Sequence, residues 1–286
     1  MLKRINWKGI LYGFICLLSL SGLVLLMSFI EVKKGAQKCK DVKVILPGRN
    51  NFIERDEVDR ILLEAGGKLV GRYLNDINIH KLENSLKNNP FIEYAKVYAD
   101  MDGIVHVQIR QRVPILRVIN MANVHFYIDG NGIKIPLSDN FTAKVLVANG
   151  FIDEDFSGKV DTLNSKLAKD LYRTAQFIKA DTLWDNQIEQ LFVDLKGDIE
   201  MVPRVGDHKI ILGDADSLQT KFRNLLVFYK KAMPKVGWNT YKSINLKYAN
   251  QIVCGKNKFD TTKIVTEINQ PLTDSLNLEN QESTKN

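Results

Sequence analysis

The chain has 286 residues, of which 45% are hydrophobic and 26% are charged, values typical of a globular protein with a packed core. Its formal net charge is +7, but the basic residues are scattered and not gathered with aromatic residues, so we predict no nucleic-acid partner. The three cysteines, Cys16, Cys39 and Cys254, include no C-x-x-C pair. Their odd count predicts neither a disulfide framework nor a zinc ribbon.

The first predicted element is an apolar stretch near the N-terminus. The segment from Gly9 to Ile30 contains 22 residues and no charge. As a helix it would cover ~33 Å, enough to cross a hydrocarbon core of ~30 Å. It is longer than the apolar core of a signal peptide, and no small-residue cleavage site follows it, which favours an uncleaved anchor. We therefore predict a transmembrane helix at 9–30, between an N-terminal segment at 1–8 and a juxtamembrane linker at 31–40.

Basic residues flank this stretch on both sides. Lys3, Arg4 and Lys8 precede it, and five lysines lie between residues 33 and 43. Because positive charge marks the cytoplasmic side of a span, this distribution does not settle the orientation.

A first soluble unit is predicted at 41–112, with the element order β-α-α-β-β. Three strands with two helices on one face form an α+β sandwich that leaves a sheet edge uncovered. Such an edge can accept a strand from another protein. The predicted elements are a strand at Val42–Leu46, a helix ended by Gly66 and Gly67, a helix capped by Asn78 and ended before Pro90, and strands at Phe91–Ala99 and Ile104–Arg110.

A second unit is predicted at 113–258, with mixed strands and two amphipathic helices. The run Asp129–Gly132 predicts a tight turn and not a phosphate-binding loop, because extended sequence follows it and no helix does. Helices are predicted at Thr162–Lys179 and Ser217–Met233. Strands are predicted at Arg117–Asn120, Val124–Ile128, Val145–Ala148, Ile188–Leu195, Ile199–Val202, Lys209–Leu212 and, as the closing strand, Ser243–Val253.

The last segment, 259–286, predicts a disordered tail. Residues 260–286 hold five acidic and two basic residues and are rich in Asn, Thr, Ser and Gln. Too little apolar surface is available there to compensate for the entropy of folding.

The pattern of potential catalytic residues does not favour an enzyme. The four histidines, His80, His106, His125 and His208, fall in four different predicted elements, without a metal-binding spacing. No nucleophile-elbow or P-loop motif is present in the sequence. We predict no enzymatic activity, and no catalytic, cofactor-binding or metal-binding residues.

Three motifs, in this order along the chain, resemble the bacterial cell-division family FtsQ/DivIB. They are NNPFIEYAKVYADMDGIVHVQIRQRVPI from Asn88, ILGD at Ile211–Asp214, and SINLKYANQIV at Ser243–Val253. Together with the apolar stretch, the resemblance covers roughly residues 1 to 255. The chain departs from the family pattern at Gln111, Asn245 and Lys247, where Glu, Asp and Arg are usual, and it retains Leu246 and Tyr248.

This resemblance implies an α+β protein with a single N-terminal transmembrane helix, a POTRA domain at 41–112 and a β-domain at 113–258. The N-terminus would be cytoplasmic, and both domains would lie outside the cytoplasm (periplasmic), on the inner membrane at the division septum. The resemblance implies a non-enzymatic scaffold that helps to localise and regulate septal peptidoglycan synthesis.

The partners that the resemblance implies are FtsB- and FtsL-like proteins, bound by strand addition at the closing strand, and other divisome components, bound by the POTRA domain. The alternatives are a POTRA-containing secretion or assembly factor and a membrane-anchored envelope enzyme. The implied partner-binding residues are Ser243, Ile244, Asn245, Leu246, Lys247, Tyr248, Ala249, Asn250, Gln251, Ile252 and Val253.

Overall fold

A computed structural model describes residues 7–35, 37–48, 52–248 and 251–256, without the side chains of 7–10 and 26–35. Helix α1 spans Trp7–Gly35 and contains the apolar stretch. Among the described residues, no helix has both the length and the apolar character that a bilayer crossing requires. The membrane span predicted at 9–30 therefore stays a prediction. The predicted tail at 259–286, and all but two residues of the segment 1–8, lie outside the described residues.

The first soluble unit has the predicted order β-α-α-β-β. Strand β3 is central, with β1 parallel to it on one side and β2 antiparallel to it on the other. The two helices cover the sheet face that carries Ala95, Val97 and Val107. The elements are β1 at Asp41–Ile45, α2 at Arg55–Gly66, a 3-10 turn at Leu74–Asp76, α3 at Ile79–Lys87, β2 at Ile92–Ala99 and β3 at Ile104–Gln111.

The predicted cap at the start of α3 and the predicted glycine end of α2 are confirmed. Asn78 caps α3, because its side chain accepts a hydrogen bond from the backbone N–H of Lys81 at 3.0 Å. Helix α2 ends where Gly67 adopts a φ of 71° and donates its N–H to the carbonyl of Leu63. Glycine reaches that left-handed conformation without steric cost.

The second unit is a ten-stranded sheet with the order β13-β12-β11-β10-β9-β7-β4-β5-β6-β8. Helices α4 and α6 share one core with it, in which Leu171 and Phe222 lie among strand residues such as Leu191 and Met201. The elements are β4 at Pro114–Ile119, β5 at His125–Asp129, β6 at Ile133–Ile135, β7 at Leu146–Gly150, β8 at Asp161–Thr162, α4 at Lys166–Ala180, α5 at Thr182–Gln187, β9 at Ile188–Val193, β10 at Ile199–Pro203, β11 at Lys209–Gly213, α6 at Leu218–Lys231, α7 at Met233–Val236, β12 at Tyr241–Asn245 and β13 at Val253–Lys256.

The tight turn predicted at Asp129–Gly132 is confirmed, and the helix predicted from Thr162 starts later. The N–H of Gly132 donates to the carbonyl of Asp129 between β5 and β6. Helix α4 begins at Lys166, because the hydroxyl of Ser165 accepts a hydrogen bond from the N–H of Ala168. Thr162 instead lies in β8, opposite Ile133 of β6.

An aromatic cluster joins the two soluble units. Phe52 of the first unit is buried, and its ring stacks on Phe91 at 5.4 Å between centroids. It also meets Tyr127 and Phe141 of the second unit edge to face, at 6.0 and 4.9 Å. Such geometry favours aromatic pairs. Phe52 and Tyr127 are each 1% exposed, so the centre of this cluster is buried.

Candidate partner-binding edge

The sheet of the second unit ends, at the predicted site, in three paired strands. Strand β12 runs parallel to β11, with Ile210 opposite Ile244, and antiparallel to β13, with Cys254 opposite Ile244. The prediction of one continuous closing strand over Ser243–Val253 is wrong. Only Ser243–Asn245 of that range belong to β12, and Val253 begins β13. Within the described residues, the outermost strand is β13 and not β12.

The closing segment breaks at Asn245 for a local reason. Its side-chain oxygen accepts a hydrogen bond from the N–H of Lys247 at 2.9 Å. This side-chain bond mimics a backbone turn and competes with further extension of the strand. Leu246 is buried and donates its N–H to the carbonyl of Ile211, so the chain stays attached to β11 as it turns.

After the break, Tyr248 points away from the core. The predicted alternation placed Ile244, Leu246 and Tyr248 on one face, but Ile244 and Leu246 are buried whereas Tyr248 is 51% exposed. Ala249 and Asn250 lie outside the described residues, Gln251 is exposed, and Ile252 packs against the core. The predicted residues thus lie on two neighbouring strands and the turn between them.

Lys247 connects the turn to the rest of the sheet. Its aliphatic stem lies over Gly213, where an added Cβ would come within 2.8 Å of the lysine Cγ. Its ammonium reaches the carboxylate of Asp198 at 2.6 Å. That hydrogen bond raises the pKa of Lys247 above its ordinary value. The glycine of the ILGD motif therefore leaves room for this lysine.

A groove runs beside Tyr248, between the start of α6 and the end of β12. It has a volume of about 300 Å³, and its lining includes Thr220, Asn224, Leu246 and Tyr248. Among its lining residues Lys221 donates to a carboxylate oxygen of Asp214 at 2.8 Å, and this bond lowers the pKa of Asp214. An exposed tyrosine beside a polar groove is suited to binding an extended chain.

Family comparison gives this geometry a context. A model of the FtsQ/DivIB C-terminal related domain matches residues 113–255, half of the chain, and a model of a POTRA-like domain matches residues 37–110. The chain belongs to the FtsQ/DivIB family. A search of curated proteins found no match. Membership in this family indicates a role in the bacterial divisome that works through protein–protein interactions.

The chain keeps the physical role of each residue at which it departs from the FtsQ/DivIB pattern. The side-chain oxygen of Gln111 accepts hydrogen bonds from the N–H groups of Phe52 and Ile53, at 3.1 and 3.3 Å, and a glutamate oxygen could accept the same bonds. Asn245 likewise uses the one oxygen that an aspartate would also supply, and Lys247 keeps the cation. These departures therefore conserve the two hydrogen-bond acceptors and the cation, whereas Gln111 and Asn245 lack the negative charge of Glu and Asp.

The Arg-x-Pro motif of the family links the two domains. Arg112 donates to a carboxylate oxygen of the buried Asp129 at 2.8 Å. The other oxygen of Asp129 accepts from the N–H groups of Asn131 and Ile133 and so holds the turn. Pro114 then begins β4. The motif places the end of the POTRA-like domain against the first turn of the β-domain.

The histidines do not converge on a site. His106 bonds Asp100 at 2.9 Å in the POTRA-like domain, whereas His208 bonds the hydroxyl of Tyr229 at 2.8 Å in the β-domain. Over the described residues, no group of three or more His, Cys, Asp or Glu side chains is placed to hold a metal ion.

The residues that sequence reasoning missed at the sheet end are Tyr241 and Cys254–Lys256, whose pairing depends on the turn at Asn245.

Proposed function

We propose that this chain is a non-enzymatic scaffold of the bacterial divisome, and that it binds FtsB- and FtsL-like proteins by strand addition at the C-terminal end of its β-domain sheet. Through these contacts it helps to localise and regulate septal peptidoglycan synthesis. The observation that supports this proposal most is the end of the sheet, where the four-residue strand β13 is outermost among the described strands and Tyr248, in the turn that follows β12, is exposed.

Strand addition suits this end of the sheet for a backbone reason. A strand at a sheet edge has N–H and C=O groups that an incoming strand can pair, and side chains near the edge supply selectivity. Val253 in β13 is 44% exposed, so apolar surface is available beside the backbone groups. Burial of that surface in a complex would contribute to affinity.

Tyr248 is the side chain that we expect to contribute most to binding. Buried tyrosines are frequent hot spots in interfaces, and the loss of one costs about 2 kcal/mol, or roughly 30-fold in affinity. We therefore expect Tyr248→Ala to weaken binding of the FtsB-like protein of the same bacterium about 30-fold. The measurement is a titration of the purified full chain with that protein.

Tyr94→Ala is the matched control. Tyr94 is an exposed tyrosine in β2 of the POTRA-like domain, far along the chain from the proposed site. Its replacement should leave the affinity unchanged. Equal affinities of the wild-type and Tyr248→Ala proteins, with both still folded, would reject this role for Tyr248.

The proposal includes a membrane anchor at 9–30, with a cytoplasmic N-terminus and periplasmic domains on the inner membrane at the division septum. Its support is the uncharged sequence of that stretch and the exposure of apolar side chains along α1, such as Leu17, Leu20 and Leu25. The test is a reporter that functions only outside the cytoplasm, fused after residue 286. Activity of the reporter supports this orientation, and an inactive but intact fusion contradicts it.

A further inference from the structure

Strand β13 occupies the edge of β12 that an incoming strand would need. The two strands pair antiparallel over Asn245 opposite Val253, Ile244 opposite Cys254 and Ser243 opposite Gly255, with a register shift between Tyr241 and Ser243. The backbone groups on this side of β12 therefore already bond to the chain itself. A partner can add its strand outside β13, or it can take the place of β13.

The two strands differ in how firmly the rest of the domain holds them. Strand β12 is fixed on its other side by β11, and its residue Ile244 is fully buried. Strand β13 has four residues, and three of them are exposed. The fourth, Cys254, is partly buried and packs against the hydrophobic core. Because local stability follows buried contacts, β13 opens more readily than β12.

We propose that β13 is a displaceable placeholder, and that an extended segment of the division partner pairs antiparallel with β12 in its place. This inference rests on the proposed function and adds its regulation: the chain shields its own acceptor edge until a partner competes for it.

The residues of β13 indicate which partner segment can replace it. Cys254 lies opposite the buried Ile244, and its small side chain packs against the hydrophobic core. Opposite Ser243 stands Gly255, where an added Cβ would lie 2.7 Å from the serine hydroxyl oxygen. The replacing segment therefore carries a small apolar residue followed directly by glycine or another residue with a small side chain.

A cross-strand disulfide tests the displacement. A Cβ added at Gly255 would lie 3.9 Å from the Cβ of Ser243, within the ~3.5 to 4.5 Å of disulfides. The full chain with Ser243→Cys and Gly255→Cys, in a Cys254→Ala background, can thus hold β13 on β12 when oxidised. We expect the oxidised form to bind the FtsB-like protein at least about tenfold more weakly than the same protein after reduction. Detectable binding of the same affinity by the oxidised and reduced forms would overturn the inference.

A peptide assay tests the acceptor edge without the division partner. The probe is a labelled synthetic peptide of residues 251–256 with Cys254→Ala, and the acceptor is a chain that ends at residue 250. We expect this chain to bind the peptide about tenfold more tightly than the full chain does, because its edge is not occupied. The same affinity for both chains, or no binding to either, would overturn the inference.

The two assays separate this inference from the proposed function. If the peptide binds the shortened chain but the FtsB-like protein binds neither form of the disulfide variant, the displacement mechanism stands and the proposed partner is wrong. If the FtsB-like protein binds the oxidised and reduced forms equally well, the proposed function stands and β13 is not displaced.

Discussion

The buried ion pair of Lys134 and Glu154 supports a sharp prediction about stability. At most 1% of either side chain is exposed, and the ammonium nitrogen of Lys134 lies 2.9 Å from a carboxylate oxygen of Glu154. The same carboxylate accepts hydrogen bonds from the N–H groups of Asn164 and Ser165, both at 2.9 Å. The pair therefore fastens β6 to the segment before α4.

These contacts set the ionisation of Glu154. Burial opposes the charged form, but the hydrogen bonds from Asn164, Lys134 and Ser165 outweigh it and lower the pKa of Glu154 from 4.5 to about 2. A difference of about 2.5 between the two pKa values, at 1.36 kcal/mol per unit, corresponds to roughly 3 kcal/mol. Since the folded state has the lower pKa, this stability is present above about pH 5 and is lost as the pH falls towards 2.

We expect Glu154→Gln to lower the free energy of unfolding at pH 7 by about 3 to 5 kcal/mol, because it leaves the ammonium of Lys134 buried without its main partner. The remaining carboxylate, Asp161, lies at 3.4 Å and is 52% exposed. The variant should also lose the part of the acid sensitivity that Glu154 causes. Urea unfolding of the full chain at several pH values, followed by tryptophan fluorescence, measures both effects.

Asp153→Asn is the matched control, since it removes one charge at the exposed neighbouring residue. Its free energy of unfolding should stay within about 0.5 kcal/mol of the wild type. If Glu154→Gln unfolds like this control, with an unchanged pH profile, the reasoning about the buried pair is refuted.

Three further predictions concern the domain junction, the buried histidine and septal targeting. Arg112→Ala should cost about 3 kcal/mol in urea unfolding, because Asp129 stays buried without its cation; a loss below about 0.5 kcal/mol would contradict this. Burial lowers the pKa of His208, although Asp207 opposes the effect. The free energy of unfolding should therefore fall as the pH drops below about 6.5, because the unfolded chain binds the proton more readily than the folded one. If His208→Phe shows the same dependence of stability on pH, this histidine is not the cause. If the exposed face of the POTRA-like domain targets the septum, Tyr94→Ala with Tyr98→Ala should reduce the midcell fraction of a fluorescent fusion at least about twofold, and normal localisation would argue against that role.

The junction also changes how the role of the POTRA-like domain can be tested. Deletion of residues 41–112 would remove Phe52 and expose Tyr127 and Ile135, which form a buried cluster with it. Loss of localisation after such a deletion could then come from damage to the β-domain. Substitutions on the exposed sheet face avoid this problem.

Local sequence signals predicted most of the helices and strands, because the apolar periodicity and the capping residues that favour these elements lie within the elements themselves or next to them. Alternating apolar residues predicted strands such as Ile104–Arg110, which the structure extends to Gln111, and the cap at Asn78 marked the start of α3. Short elements with weak periodicity, such as the two-residue β8 and the helix α5, were not predicted. Strand β8 forms only through its pairing with β6, which lies elsewhere in the chain.

The candidate site shows more clearly that local sequence patterns cannot predict structure that depends on distant contacts. The alternation in SINLKYANQIV is compatible with one long strand, and no pattern of that length distinguishes a strand from a strand followed by a turn. What decides is the hydrogen bond from Lys247 to Asn245 and the contact of Lys247 with Gly213 and Asp198. The contacts of Lys247 with Gly213 and Asp198 join residues that are far apart in sequence, so only the folded structure reveals them.

Amide hydrogen exchange of the full chain, with and without the FtsB-like protein, tests strand addition most directly. If the partner pairs with this end of the sheet, the change in exchange should concentrate in residues 241–256, with β12 still protected and the amides of β13 exchanging faster once displaced. Tight binding that leaves exchange at 241–256 unchanged, and alters it elsewhere, would contradict the account.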